Sequence, residues 1–257
     1  GIAAALRDAH PGVWTVDRVD DALADLFHRS LFGLRPEVNV HPPARRRPPQ
    51  VPFGPAMQEV LASSLDGSGL TAAGRPTLDG LLDAGRGVLV ARGYHGTRVD
   101  DIAAAAELSH GAFYRYFQNK DHFARLVAGQ AMRTVAVALE DIPVDAVHDG
   151  DAGRDALRDW LRRYNAAQST ETALVRVWAD ATAADPDLRS ESAAVFDWGR
   201  RRMAGFLAPR GFGDVDTEAV ALVALLEAYG ARPRGTAATD TAALVIEQGF
   251  LGRPALP

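Results

Sequence analysis

The stretch that decides the fold lies near the middle of the chain and reads Gly93-Tyr-His-Gly-Thr-Arg-Val-Asp-Asp-Ile-Ala-Ala-Ala-Ala-Glu-Leu-Ser-His-Gly-Ala-Phe-Tyr-Arg-Tyr-Phe-Gln-Asn-Lys120. Between Val99 and Ala106 the apolar residues follow the i, i+3, i+4, i+7 spacing of one helix face. Ser109 is a good N-cap for a second helix, 110–116, because its hydroxyl can accept from the amides of the next turn. The spacing therefore predicts two short helices joined by a tight turn.

The second of these helices has one apolar and one polar side. Phe113 and Phe117 lie four residues apart and are expected to be buried together. The opposite, exposed side then carries hydrogen-bonding groups and a glycine, namely His110, Gly111, Tyr114 and Arg115. Two short helices with such an exposed second member predict a helix-turn-helix motif.

This motif resembles the TetR/AcrR family of bacterial transcription regulators. The Gly-Tyr step, Val-x-x-Ile-Ala, a Ser two residues past the turn, Phe-Tyr-x-x-Phe and Asn-Lys all occur in order from Gly93 to Lys120. The surrounding frame extends from about Thr77 to Val127. The family usually has Gly where Glu107 stands, so a left-handed turn here would cost roughly 1 kcal/mol. It also prefers Ser or Thr at the position of Arg98.

The resemblance implies that helix 110–116 enters the major groove, where base edges display a readable code. Arg115 can offer two donors to a guanine, and His110 or Tyr114 can contact bases or thymine methyl groups. Lys120 begins a long helix whose free amides, like its own ammonium, favour a DNA phosphate. The predicted DNA-binding set is Thr97, Arg98, Ser109, His110, Gly111, Ala112, Tyr114, Arg115, Tyr116 and Lys120, with Thr97, Arg98 and Tyr116 assigned to phosphates.

Composition excludes several classes of protein. The 257 residues carry 28 Lys+Arg and 33 Asp+Glu, a net charge of −5, so no uniformly basic coat surrounds the molecule. The chain has no cysteine, which excludes disulfide frameworks, thiolate metal sites and cysteine nucleophiles. The longest apolar run, Ala219 to Leu226, is much shorter than the roughly 20 residues of a membrane-spanning helix. Since Gly1 to His10 also lacks the features of a signal peptide, we expect a soluble, cytoplasmic protein without a membrane partner.

No enzyme motif is found in the sequence. The single lysine follows Asn119 and does not end a glycine-rich phosphate loop. The cluster from His148 to Asp151 is a loop of weak ligands, and Ser68 lacks the strand–turn–helix context of a nucleophile elbow. We therefore expect no catalytic activity, no metal and no cofactor.

The rest of the chain predicts an all-α fold, because sustained period-2 alternation is absent. The predicted helices are 5–10, 17–32, 56–65, 77–92, 99–106, 110–116, 120–140, 153–168, 171–184, 187–207, 216–230 and 239–250. The predicted domains are a helical N-terminal segment 1–35, a Pro/Gly-rich linker with a short helix 36–74, the helix-turn-helix domain 75–127, and an effector-binding and dimerisation domain 128–257.

Helices 216–230 and 239–250 are apolar on more than one face, so each must bury two sides. One side can face its own domain and the other a second copy, which predicts a homodimer through these helices. The alternative is that they are central helices of a monomeric bundle. A small, largely apolar effector is expected among aromatic and Met side chains that could equally be core, namely Trp160, Tyr164, Trp178, Phe196, Trp198, Met203, Phe206 and Tyr229.

The N-terminal segment resembles the end of the chain. Asp21–Gly33 and Asp240–Gly252 place Asp and Gly at the same separation, with apolar residues at matching positions such as Leu26 and Val245. This predicts that residues 1–35 are the closing helices of a preceding, similar regulator domain in a longer, tandem protein. A second interpretation of the whole sequence is a helical dimerising protein of TetR-like fold that has lost DNA binding.

Overall fold

The computed structural model describes residues 16–32, 53–62, 74–144, 150–210, 213–232 and 234–253. Within these ranges the regular structure is helical and includes no strand, which confirms the predicted all-α fold. The α-helices are α1 (Val16–Phe32), α2 (Pro55–Ala62), α3 (Gly74–Gly96), α4 (Val99–Ala105), α5 (His110–Phe113), α6 (Lys120–Glu140), α7 (Gly150–Ala181), α8 (Pro186–Leu207), α9 (Val215–Gly230) and α10 (Thr236–Val245). A π-helical turn, Ile246–Phe250, continues α10, and we call the two together the closing helix. The predicted helix 5–10 and most of the linker lie outside the described residues.

Two predicted helix boundaries are wrong. A single helix, α7, replaces the predicted pair 153–168 and 171–184. The Ser169 hydroxyl donates to the carbonyl of Ala166, so a residue type that favours helix ends is accommodated within the helix. The second helix of the motif ends at Phe113, because Arg115 and Tyr116 instead donate to carbonyls three residues back, at 3.3 and 3.0 Å, in tighter turns.

Two residues of the motif have left-handed backbone geometry. Gly93 has φ 68° inside α3, where the helix is interrupted, and Glu107 has φ 57° in the turn after α4. A glycine adopts this conformation without steric cost, whereas the Cβ of Glu107 crowds the following carbonyl.

We expect Glu107→Gly to raise the free energy of unfolding by about 1 kcal/mol, since it removes this crowding from an exposed position. Denaturant unfolding of the two chains measures the gain. Gly93→Ala is the matched control, because it introduces the same crowding at the other left-handed residue and should lower stability. A loss of stability in Glu107→Gly would show that the glutamate side chain has a favourable contact that outweighs its backbone strain.

The chain forms two compact units. Unit A comprises Phe53–Thr134 and Glu171–Ser192 and therefore contains the whole motif. Unit B comprises the described residues of the remainder, including α1, α9 and the closing helix. Residues 171–192, which the sequence assigns to the second domain, thus belong with the helix-turn-helix. No helix in the described part of the chain is long and apolar enough to span a membrane.

The centre of unit A is a cluster of three aromatic rings. Phe113, Phe117 and Phe123 are each at most 1% exposed, and their ring centroids lie 4.9 to 5.7 Å apart. Gly85 lets α3 approach this cluster closely, because a Cβ at that position would overlap the ring of Phe123. The predicted burial of Phe113 with Phe117 is confirmed, and Phe123 from α6 completes the cluster.

In unit B, α1 packs against α9 and the closing helix. The guanidinium of Arg29 is buried, donating through Nε to the Gly249 carbonyl and through a terminal nitrogen to Glu218, each at 2.8 Å. At the other end of α1, Arg18 donates to both carboxylate oxygens of Asp214, the N-cap residue of α9. Directed contacts therefore hold both ends of α1.

The Arg18–Asp214 contact predicts a pH dependence for unit B. Hydrogen bonding from Arg18, followed by that from Thr217, lowers the pKa of Asp214 from 3.8 to about 2. Because the pKa of Asp214 is lower in the folded than in the unfolded chain, its ionised carboxylate stabilises the folded state at pH values above the unfolded pKa. This contribution is lost as the pH falls from about 4 towards 2. Both side chains are partly exposed, so we expect Arg18→Met to lower the Tm by a few degrees at most at pH 7.

The same substitution should change the Tm less at pH 2.5, where part of the contribution has already been lost in the wild type. Thermal unfolding of both chains at the two pH values measures the difference. An effect of Arg18→Met that is equally large at pH 2.5 and pH 7 would contradict this assignment.

Candidate nucleic-acid interface

The two short helices of the motif are fixed by their apolar sides. In α4, Ile102 and Ala103 are buried, and the amide of Leu108 donates to the Ala103 carbonyl at 2.9 Å as the chain leaves that helix. In α5, Ala112 and Phe113 are buried. The remaining side of α5 is therefore presented to solvent by a rigid support.

The polar side of α5 is exposed, as the sequence predicts. His110 and Arg115 are exposed, and Tyr114 is 48% exposed although it is a large aromatic residue. The rings of His110 and Tyr114 lie 5.0 Å apart, and Tyr114 also meets the edge of Phe113 at 5.4 Å. Ring contacts thus hold Tyr114 in place while part of its surface remains accessible.

Asp100 orients the first residue of this surface. Its carboxylate forms a hydrogen bond with Nδ1 of His110 across the turn. Sequence reasoning missed this contact, since ten residues separate the pair and no periodic pattern relates them. Because the carboxylate holds one ring nitrogen, Nε2 is the nitrogen of His110 left to face a ligand.

Arg115 is the cation best placed to contact a duplex. Its guanidinium carbon lies 5.9 Å from the ring centroid of Tyr116. Among the described residues, no carboxylate forms an ion pair with Arg115, whereas Arg92 pairs with Asp101 at 2.5 Å. The guanidinium can therefore offer its planar fork of donors to an external acceptor.

Two predicted phosphate contacts are not favoured by the structure. The Thr97 side chain is 1% exposed, and its hydroxyl donates to the Gly93 carbonyl at 2.7 Å. The hydroxyl of Tyr116 donates to the Gly74 carbonyl at 3.1 Å. Each hydroxyl proton is thus used inside the protein, so we assign both side chains to positioning the motif. Ala112, also in the predicted DNA-binding set, is buried within unit A.

Three other members of the predicted DNA-binding set are exposed. Ser109 is the N-cap of α5, as predicted, but its exposed hydroxyl makes no capping bond. Arg98 is exposed, and its backbone amide donates to Asp101 at 3.0 Å at the start of α4. Gly111 is exposed with no atom within 4 Å of a Cβ built on it, so a partner can approach the backbone there.

Lys120 begins α6, as predicted, and Tyr94 anchors it. Its Nζ donates to the Tyr94 carbonyl at 3.0 Å and lies 4.3 Å from the ring centroid of that tyrosine. Burial and a hydrogen bond to Asp121 raise the pKa of the Tyr94 phenol to about 12. An ammonium has three donors, so a lysine held at this helix start retains donors for a phosphate.

The predicted effector residues do not share one site. Trp178 belongs to unit A, where its indole donates to Ser192 at 2.6 Å. In unit B, Trp198 is buried and Phe196 is partly exposed. Five others pack in one buried core of unit B, namely Trp160, Tyr164, Met203, Phe206 and Tyr229. In this structure the five residues are therefore core side chains, which is the alternative interpretation given above.

A cavity of about 400 Å³ occurs in unit A instead. Its walls include Glu59, His122 and the ion-paired Arg125 and Asp185, whose nearest charged atoms are 3.1 Å apart. Burial lowers the pKa of His122. None of the predicted effector residues lines this cavity, whose walls combine charged side chains with the apolar Ala56, Val60 and Leu188.

Comparison with known proteins identifies the motif. Residues 81–127 match the model of the tetR family of bacterial regulatory proteins. The helix-turn-helix region of this chain is therefore similar to that of the TetR family. The matched residues contain α4, α5 and the start of α6, so the TetR-type region coincides with the exposed surface described above.

The chain is also similar to individual regulators. The chain is 38% identical over 76 residues to the HTH-type transcriptional repressor DhaR of Mycobacterium sp. (strain GP1), a match spanning 28% of this chain and 38% of DhaR. In fold it is similar to a TetR-like transcriptional regulator from Rhodococcus sp. RHA1, with TM-score 0.51, 25% identity, and coverage of 66% and 94% of the two chains. It is also similar to the TetR-family regulator PfmR from Thermus thermophilus, with TM-score 0.52, 20% identity, and coverage of 66% and 96%.

Proposed function

We propose that this protein is a sequence-specific DNA-binding transcription regulator that acts as a ligand-released repressor. The observation that carries the proposal is the exposed surface formed by α5 and the turns that follow it, where His110, Tyr114 and Arg115 lie over buried phenylalanines. The 38% identity over 76 residues to the repressor DhaR supports repression rather than activation.

In this proposal α5 reads base edges in the major groove. Arg115 donates twice to the O6 and N7 acceptors of a guanine, a contact that separates guanine from the other bases. Tyr114 packs its exposed ring edge on a thymine methyl group, and His110 presents Nε2 to a neighbouring base. These contacts supply specificity because each depends on the identity of the base.

Lys120, Ser109 and Arg98 supply the phosphate contacts that fix the register of α5. Lys120 acts where the amides at the start of α6 also favour an anion. These contacts do not depend on base identity, so they contribute affinity for any duplex. They also make binding strongly dependent on salt, because phosphate neutralisation releases counterions.

A palindromic operator requires two such motifs at a fixed spacing of about one helical turn of DNA or slightly more. We propose that two copies pair through helices 216–230 and 239–250 to provide them. Unit B is the proposed effector domain, and since its five clustered side chains are packed in this state, an apolar effector has to open that core. Such binding shifts the population towards a spacing that no longer fits both grooves.

Selection of bound duplexes from a random pool tests this function. We expect a palindrome to be enriched, with an affinity that falls steeply as salt rises from about 50 to about 200 mM. A TetR-like protein that has lost DNA binding would enrich no sequence. Enrichment of nothing above the input pool would overturn the proposal, even if the protein proved to be dimeric.

A further inference from the structure

Helix α1 corresponds in sequence to the closing helix. Asp21–Gly33 and Asp240–Gly252 align without a gap, so Leu26 corresponds to Val245 and Ser30 corresponds to Gly249. The structure confirms that both stretches are helical, since α1 is Val16–Phe32 and the closing helix runs from Thr236 to Phe250.

These two corresponding helices pack on each other in unit B, and counterpart residues meet. A Cβ built at Gly249 would overlap Oγ of Ser30, its own counterpart, and would lie 3.2 Å from Cδ1 of Leu26. When two copies of one helix pack about a twofold axis, equivalent residues come together at the axis. The contact between Ser30 and Gly249 is therefore the contact that a twofold pair of closing helices would make.

The two helices also bury opposite faces. Phe27 and Leu31 of α1 are 65% and 74% exposed, whereas their counterparts Ile246 and Phe250 are 1% and 0% exposed in the core of unit B. A helix that merely completed the core would bury its most apolar face. Helix α1 instead packs through Ala22, Leu26 and Arg29, whose counterparts Thr241, Val245 and Gln248 are exposed or half-buried in the closing helix.

A buried ion pair fixes α1 in this position. The Arg29 and Glu218 side chains are 5% and 1% exposed, and Arg29 also donates to the carbonyl of Gly249. A buried guanidinium and carboxylate are costly to separate, which specifies one docked position for the helix. The docked helix covers the part of the predicted pairing surface around Gly249.

We propose that α1 occupies, within one chain, the place that the closing helix of a second copy takes when two copies pair through this surface. Docking of α1 and pairing through the closing helix then exclude each other, so the pairing proposed for palindrome binding requires α1 to leave this surface. This proposal rests on the proposed function at one point, namely that two copies pair in order to bring two motifs to one duplex. Its test needs no DNA.

The test uses Gly249→Cys, since the wild-type chain has no cysteine. The new side chain overlaps Ser30 and displaces α1, and it places a thiol at the twofold axis of the pair that should then form. All chains carry Phe27→Ser and Leu31→Ser, because these exposed apolar side chains could associate by themselves. After mild oxidation, most of the Gly249→Cys protein is expected as a disulfide-linked dimer.

Two matched controls define the effect. Gly205→Cys places a thiol on an exposed, uncrowded position of α8 and should remain monomeric. Ser30→Gly with Gly249→Cys makes room for the thiol under a docked α1, and cross-linking should fall at least tenfold relative to Gly249→Cys alone. Equal cross-linking with and without Ser30→Gly, or equal cross-linking of Gly205→Cys, would overturn the proposal.

A monomeric Gly249→Cys chain would also overturn it, whether or not α1 is released. If that chain does not fold by circular dichroism, Arg29→Ala serves as the second variant, because it weakens docking and keeps Gly249. Sedimentation of Arg29→Ala should then show a concentration-dependent dimer where the parent chain is a monomer, and a persistent monomer would refute the idea. Loss of DNA binding with this cross-linking pattern intact would count against the proposed function alone.

Discussion

Arg115→Ala is expected to weaken binding to the selected palindrome by about 10- to 100-fold, while binding to unrelated duplexes changes little. A bidentate arginine–guanine contact accounts for roughly 1–3 kcal/mol of discrimination against the wrong base. The side chain is exposed, and no described carboxylate competes for it, so its removal leaves the fold of unit A intact. Titration of each chain against the palindrome and against a variant substituted at one base pair measures the loss of discrimination.

Lys120→Ala provides the comparison, because it should weaken binding to all duplexes alike. We expect the slope of log Kd against log salt to fall by about one for this variant. The contrast depends on geometry, as Lys120 is held at the start of α6 and Arg115 lies beyond the end of α5. Equal, sequence-independent losses for both variants would contradict the division between base reading and phosphate binding.

The local pattern of the motif was sufficient to predict a position of special backbone geometry. The family pattern usually has Gly at the position of Glu107, and the structure shows a positive φ there. The exposed set on α5 also follows from the spacing of Phe113 and Phe117. These features depend on residues close in the chain, where periodicity and turn preferences are informative.

Contacts between distant residues could not be predicted in this way. The bond from Tyr116 to the carbonyl of Gly74 joins residues 42 positions apart, and it removes Tyr116 from the phosphate contacts. The pairing of His110 with Asp100 likewise depends on the angle between α4 and α5. The outer face of α1 illustrates the same difficulty, because the sequence shows that the helix is amphipathic but not which apolar side is buried.

Phe113→Ala is expected to lower the free energy of unfolding by about 3–5 kcal/mol, the largest effect on stability that we expect in unit A. Phe113 is 0% exposed, and its ring meets those of Phe117 and Phe123, at 5.2 and 5.7 Å between centroids. Removing it leaves a cavity beside the rings of Phe117 and Phe123 in a closely packed core. Denaturant unfolding followed by circular dichroism measures the loss.

The same substitution also tests whether the aromatic cluster positions the reading surface. The rings of Phe113 and Tyr114 make an edge contact, so Phe113 helps to hold Tyr114 in place. DNA affinity of Phe113→Ala should therefore fall by more than the increase in unfolded protein accounts for. Phe113→Leu fills most of the cavity and should recover much of the stability while leaving Tyr114 less well held. Val90→Ala, at a half-exposed position of α3, controls for a small apolar truncation and should change neither quantity by more than about 0.5 kcal/mol. Full DNA affinity in folded Phe113→Ala would show that α5 keeps its geometry without the cluster, and the surface would then be positioned by the turns that follow Phe113.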